Sequence, residues 1–134
     1  RGNADGAIEV LARAMQESGG RYPVAYSYID ALQAAGRHRE ALVVVEDVIK
    51  QRPRDARSHG LQAKSYAAMG RRALQHRSQS EVYYLQGALP AAIEQLQLAQ
   101  SAGDGDFYLL SAVDSRLRAL KAEYTEERKQ QRRN

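Results

Sequence analysis

Between Gly36 and Pro53 the chain reads GRHREALVVVEDVIKQRP. Ala41, Leu42, Val45, Val48 and Ile49 recur three and four residues apart, the spacing that lines one face of a helix. A glycine before and a proline after are helix punctuation. The same pattern recurs along the chain. Moving back 34 residues lands on Gly2, Ala7, Ile8, Leu11, Ala14 and Met15, each matching in character. Moving forward 34 from Gly36 gives Gly70, and 17 further stands Gly87, followed at the same offsets by Ala92, Ile93, Leu96 and Ala99.

A 34-residue period with glycine between two helices, alanine five positions later and proline near the end is the signature of the tetratricopeptide repeat. The pattern predicts an all-α, tetratricopeptide-repeat helical solenoid with a long C-terminal capping helix. Seven helices are expected, over about 4–17, 22–35, 38–51, 55–69, 71–86, 89–101 and 106–130. Gly36, Gly70 and Gly87 fall just past helix ends, and Ala7, Ala41 and Ala92 are small where the helices of a hairpin should cross. The 17-residue step from Gly70 to Gly87 makes the helix over 71–86 close one hairpin and open the next. Two positions depart from the pattern: Gln75 replaces a small alanine, and Ile29 stands where a small residue is usual. In the last helix Phe107, Leu110, Val113, Leu117, Leu120 and Tyr124 should cover the preceding repeat, with a polar outer face.

Composition agrees with one helical domain over 1–134: many Ala, Leu, Gln, Arg and Glu, three Pro and no Trp. With no cysteine, disulfides and thiolate metal sites are excluded. No apolar run reaches the ~20 residues that cross a bilayer. The opening RGNADGAIEV has no signal-peptide pattern and reads as starting inside a repeat, so the chain is expected to be a fragment of a larger protein. The net charge of +4 is local. From Arg116 to Asn134 there are seven Lys or Arg and three Glu, and the preceding residues hold 13 of each sign. This basic segment reads as a solvated helix face favoured by the negative helix C-terminus, with a nucleic-acid or acidic-lipid contact as the alternative.

Catalytic patterns are missing. His38, His59 and His76 are the only histidines, with no HExxH, and they are expected to be solvated side chains on helix surfaces. GDGDF at 103–107 lacks the ligand run and terminal glutamate of a calcium loop. Gly103 instead ends one helix, and Asp104 or Asp106 caps the next. No GxSxG, phosphate loop or dinucleotide fingerprint is present. The expectation is a non-enzymatic chain with no catalytic residues, no metal ligands and no cofactor.

From about Ala63 to Leu120 the chain resembles the C-terminal repeat domain of periplasmic, gluzincin-type zinc metalloproteases of Gram-negative bacteria. Those enzymes also act as chaperones in outer-membrane protein assembly. The runs SEVYYLQGALPAAIEQL and YLLSAVDSRLRAL carry the resemblance, because they differ from the generic repeat consensus. It implies an upstream protease domain with HExxH, zinc bound only there, and a periplasmic location. Its expected partners are protein or peptide segments, among them its own protease domain and outer-membrane assembly components, with neither nucleic acid nor membrane insertion.

In such arrays the first helix of each hairpin lines a concave groove. Counting from Tyr22, Ala56 and Ala73 places Tyr26, Asp30, Gln33, Arg57, Lys64, Arg77, Glu81 and Tyr84 on that face. Tyrosine and arginine supply area and directional hydrogen bonds to a partner. Tyr26 and Tyr84 can equally be partly buried packing residues. Asp30 and Leu61 stand where a carboxylate clamp would need lysine or asparagine, so a free acidic C-terminus is not the expected ligand. The alternative function is a free-standing adaptor whose basic tail contacts nucleic acid or acidic partners.

Overall fold

A computed structural model describes residues 2–134. Seven helices follow one another: α1 Gly2–Glu17, α2 Tyr22–Ala34, α3 His38–Gln51, α4 Ala56–Ala68, α5 Arg72–Leu85, α6 Leu89–Ser101 and α7 Phe107–Arg133. No strand occurs among the described residues. Each helix packs on the next in the chain, and α5 packs extensively on both α4 and α6. The expected doubling of that helix as end of one hairpin and start of another is what the chain does. The last helix continues to Arg133, three residues past the expected 130.

The turns repeat because their backbone solution repeats. Gly36 has φ of 75°, a left-handed conformation that glycine adopts freely and other residues rarely do. It lets the Gly36 amide donate to the Gln33 carbonyl (3.0 Å) and the Arg37 amide to the Leu32 carbonyl (2.8 Å), a Schellman closure. Gly70 and Gly87 close α4 and α5 with the same pair of bonds.

The core consists of two apolar clusters. Ile8, Ala25, Tyr26, Ile29, Leu32, Ala41, Val45 and Val48 join α1, α2 and α3. Leu89, Ala92, Leu96, Ala99, Val113, Leu117 and Leu120 join α6 and α7. Between them, α4 and α5 bury Ala63, Tyr66 and Ala73 together with four serines, Ser58, Ser65, Ser78 and Ser80. Each serine has a partner. The Ser78 hydroxyl donates to Gln62 Oε1 (2.8 Å), and the Ser80 hydroxyl donates to the Ala92 carbonyl (2.7 Å). Satisfied hydroxyls cost little to bury, and their size lets helices approach closely. Gly60 sits in this seam, where an added Cβ would lie 3.9 Å from Val82.

Several sequence expectations are corrected. Ala41 and Ala92 are fully buried at crossings, but Ala7 is exposed, because no helix among the described residues packs on its flank of α1. Ile29 is fully buried and accommodated, and Gln75 is half-buried. In α7, Phe107 is 77% exposed and Leu110 37%; Leu109 takes their place, packing against the α6–α7 cluster. The inward stripe therefore runs 109, 113, 117, 120, 124, and Phe107 begins the helix outside it. The histidines are not freely solvated either. His59 is buried and donates through Nε2 to the Pro53 carbonyl (2.9 Å). His76 donates through Nδ1 to Gln95 Oε1 (2.8 Å), and His38 Nδ1 lies 3.0 Å from the Ser65 hydroxyl.

The GDGDF loop does two jobs. Asp106 caps α7 by accepting from the Leu109 amide (2.8 Å). Asp104 instead reaches the first turn of α5, accepting from the amides of Ala73 (2.9 Å) and Arg72 (2.7 Å). A carboxylate there satisfies orphan amides and meets the positive end of the helix dipole. The Ala73 amide bond, followed by that of Arg72, holds the Asp104 carboxyl below the usual carboxylate range.

Two outcomes follow from this packing. Ala41→Leu should overpack the α2–α3 crossing and cost about 1–3 kcal/mol, read as a lowered Tm in thermal denaturation. Asp104→Ala should lower Tm at neutral pH. Because the native carboxyl titrates below its unfolded value, the stabilisation is complete above the unfolded pKa of about 3.9 and is lost as pH falls through the depressed native value. The Tm gap between wild type and Asp104→Ala should therefore narrow in acid, and a gap independent of pH would exclude an ionised cap.

Candidate partner-binding surface

The residues expected in the groove separate into two groups. On α2, Tyr26 and Asp30 lie one turn apart, and α4 brings Arg57 over both. The Arg57 guanidinium lies 4.1 Å from the centre of the Tyr26 ring, and its Nη2 is 3.8 Å from Asp30 Oδ2. The Arg57 and Asp30 side chains are 57% and 54% exposed, so their ion pair contributes about 0–1 kcal/mol. Stacking on the ring adds about 0.5–1 kcal/mol. These modest terms fix the direction of the guanidinium and leave it open to a partner. Lys64, two turns along α4 from Arg57, is exposed on the same helix face.

Two of the expected groove residues are turned inward. Gln33 is 6% exposed, and its Nε2 donates to the Leu61 carbonyl (2.8 Å) and the Ser65 hydroxyl (2.9 Å). It ties α2 to α4 beneath the surface and is not available to a partner. Tyr26 is 7% exposed, so its ring serves as packing and as a platform for Arg57. The Tyr26 hydroxyl and Gln33 Oε1 are buried without a hydrogen-bond partner among the described residues.

The second group lies between α5 and α7. Arg116 of α7 donates to Glu81 through Nε (2.9 Å) and Nη2 (3.2 Å), a two-pronged bond that fixes both side chains. The same guanidinium lies 4.6 Å from the centre of the half-buried Tyr84 ring, and the Tyr84 hydroxyl donates to Glu123 Oε1 (3.2 Å). Arg77 is half-buried on the same helix, near the Tyr66 phenol. Burial pushes that phenol up, Glu46 adds to the rise, and Arg77 opposes it. No hydrogen bond or ion pair among the described residues joins this group to the α2–α4 group. The reason lies in the repeat register. Counting from Ala73 treats α5 as a first helix, yet α5 is also the second helix of the hairpin that α4 opens.

Sequence reasoning missed Arg116 and Glu123, which hold Glu81 and Tyr84 in place. The repeat register carries no signal for them, because the capping helix is not itself a repeat. It also missed Arg52, whose guanidinium lies 4.4 Å over the Tyr22 ring. Among the described residues, no three His, Cys, Asp or Glu side chains converge in a way that could hold a metal ion. No helix among them is long and apolar enough to cross a membrane.

The inward placement of Gln33 and Tyr26 has measurable consequences. Gln33→Ala should leave the Leu61 carbonyl and Ser65 hydroxyl short of a donor and cost about 1–3 kcal/mol by chemical denaturation. Tyr26→Phe removes a buried, unpartnered hydroxyl while keeping the platform, and should leave Tm unchanged or raised. A large loss on Tyr26→Phe would mean that the hydroxyl has a partner.

Residues 1–65 match the family model of the tetratricopeptide repeat, a stretch ending inside α4. No curated protein matches the chain. Tetratricopeptide repeats generally mediate protein–protein interaction and are typically non-catalytic. The family match over residues 1–65, the Schellman turns at Gly36, Gly70 and Gly87 and the stacked antiparallel helices give this chain the fold of an all-α helical solenoid built like tetratricopeptide repeats.

Proposed function

We propose that the chain docks segments of protein partners on the α2–α4 face, with Arg57 as central anchor. The observation that carries this reading is the guanidinium held over Tyr26 and beside Asp30 while remaining more than half exposed. A partner carboxylate or backbone carbonyl arriving there meets a donor whose orientation is already fixed, which lowers the entropy cost of binding. Lys64 extends the same surface along α4.

In the fuller form of the proposal, the chain is the non-catalytic interaction domain of a periplasmic zinc metalloprotease, docking substrates or outer-membrane assembly machinery. Its support is the resemblance carried by SEVYYLQGALPAAIEQL and YLLSAVDSRLRAL. On this reading zinc and the catalytic residues belong to an upstream domain. The upstream coding sequence tests it directly: a signal peptide and HExxH are expected, and a different upstream domain would refute it.

For docking itself, a photo-crosslinking group at Ala68, exposed one turn beyond Lys64 on α4, should capture the partner in the full-length protein. Arg57→Ala and Lys64→Ala should each weaken capture by about tenfold, the loss of one anchor contact. Tyr84→Ala should have less effect, since that ring is engaged with α7, and deletion of residues 128–134 should have none. Helicity measured by circular dichroism should persist in all four variants. A partner that ignores the α4 substitutions and is lost with the tail would overturn the proposal.

A further inference from the structure

Beyond Leu120, α7 has finished its packing except for Tyr124, yet it continues as helix to Arg133. Its charges are sorted by face. Successive side chains turn by about 100°, which brings Lys121, Thr125, Arg128, Lys129 and Arg132 into one strip about 100° wide. Glu123, Glu126 and Glu127 fall on the far side of the helix, and Arg133 stands just beyond the strip's edge. All four cations are exposed, and none forms an ion pair among the described residues. Arg118, one turn earlier, is neutralised by Asp114 at 3.2 Å, so the open strip begins at Lys121. Arg128 lies 5.8 Å from the centre of the Tyr124 ring, which anchors the strip to the body. From Lys121 to Arg132 it runs for about 16 Å.

A strip of unpaired cations lowers the energy of a matching row of anions, and its width selects among them. A helix inserted in a nucleic-acid groove meets phosphates on both walls. Here the second wall would face Glu123, Glu126 and Glu127, and like charges repel. A helix lying on an anionic bilayer needs an apolar face to insert. The apolar stripe of α7 is already spent on α6, through Val113, Leu117 and Leu120. A polypeptide presenting carboxylates along one edge needs neither a second wall nor an apolar face. An acidic helix repeats its charges at the same three- and four-residue spacing as the strip. We infer that the exposed strip of Lys121, Arg128, Lys129 and Arg132 on α7 is a docking surface for an acidic polypeptide segment, separate from the α2–α4 face.

The test uses the full chain and a fluorescent Glu-rich helical peptide as the probe. Binding should be detectable at low salt and fall steeply as screening increases. Arg128→Gln with Arg132→Gln should weaken it by about tenfold. Gln130→Glu with Gln131→Glu lowers net charge equally but alters other faces, and should change affinity by less than about twofold. Lys121→Gln with Lys129→Gln provides an independent second on-strip pair. All six positions are exposed, and glutamine and glutamate sustain helix, so far-UV circular dichroism should be unchanged. Equal weakening by on-strip and off-strip pairs would reduce the effect to net charge and overturn the inference. So would absence of peptide binding at low salt. Tighter binding of single-stranded or duplex oligonucleotides, or of phosphatidylglycerol vesicles, would overturn it in favour of those ligands. None of these outcomes bears on Arg57 or Lys64, so the α2–α4 proposal stands or falls separately.

Discussion

Helices of 13 or 14 residues joined in a tight hairpin have no interior of their own. Their apolar stripes leave water only when another helix covers them, and the whole architecture answers to that constraint. The left-handed glycine turns bring each helix back along its predecessor, and fully buried Ala41 and Ala92 let the crossings close. Helix α5 shows the consequence most clearly. It presents Ser78 to α4 and Ser80 to α6, so one helix serves two hairpins without a break in the stack.

The price of that sharing is a change in core chemistry. Apolar clusters form on either side, around Val45 and around Leu96, while the middle mixes Ala63, Tyr66 and Ala73 with buried serines, Gly60 and the Gln33 amide. Its cohesion comes from close approach and from hydrogen bonds that satisfy nearly every buried polar atom. The Asp104 carboxylate adds a long-range tie, since the α6–α7 loop supplies the cap that the first turn of α5 lacks within its own sequence.

The surface repeats one electrostatic device at two places. A tyrosine on one helix carries an arginine from another, and a carboxylate beside the tyrosine holds that arginine: Tyr26, Arg57 and Asp30 in one case, Tyr84, Arg116 and Glu81 in the other. The two differ in exposure. Arg57 is largely open to solvent, whereas Arg116 is 35% exposed and bound by both prongs to Glu81. The first can exchange its contacts for those of a partner, and the second mainly fastens α7 to α5.

Local pattern determined the helices, because three-and-four apolar spacing and glycine punctuation are properties of neighbouring residues alone. The period carried the stacking as well, since a repeated stripe admits one repeated solution. Which face of α5 or α7 each polar residue occupies was decided only in three dimensions. Gln33 reads as a groove residue by its position in the repeat, yet Leu61 and Ser65 from α4 draw its amide inward. Phe107 reads as core by its hydrophobicity, but at the first turn of α7 it is left exposed, and Leu109 packs against the core instead. Asp104 reads as a cap for the helix that follows it, and the fold instead gives it to a helix 32 residues earlier. Such long-range partners depend on helix crossing geometry, which no local spacing encodes.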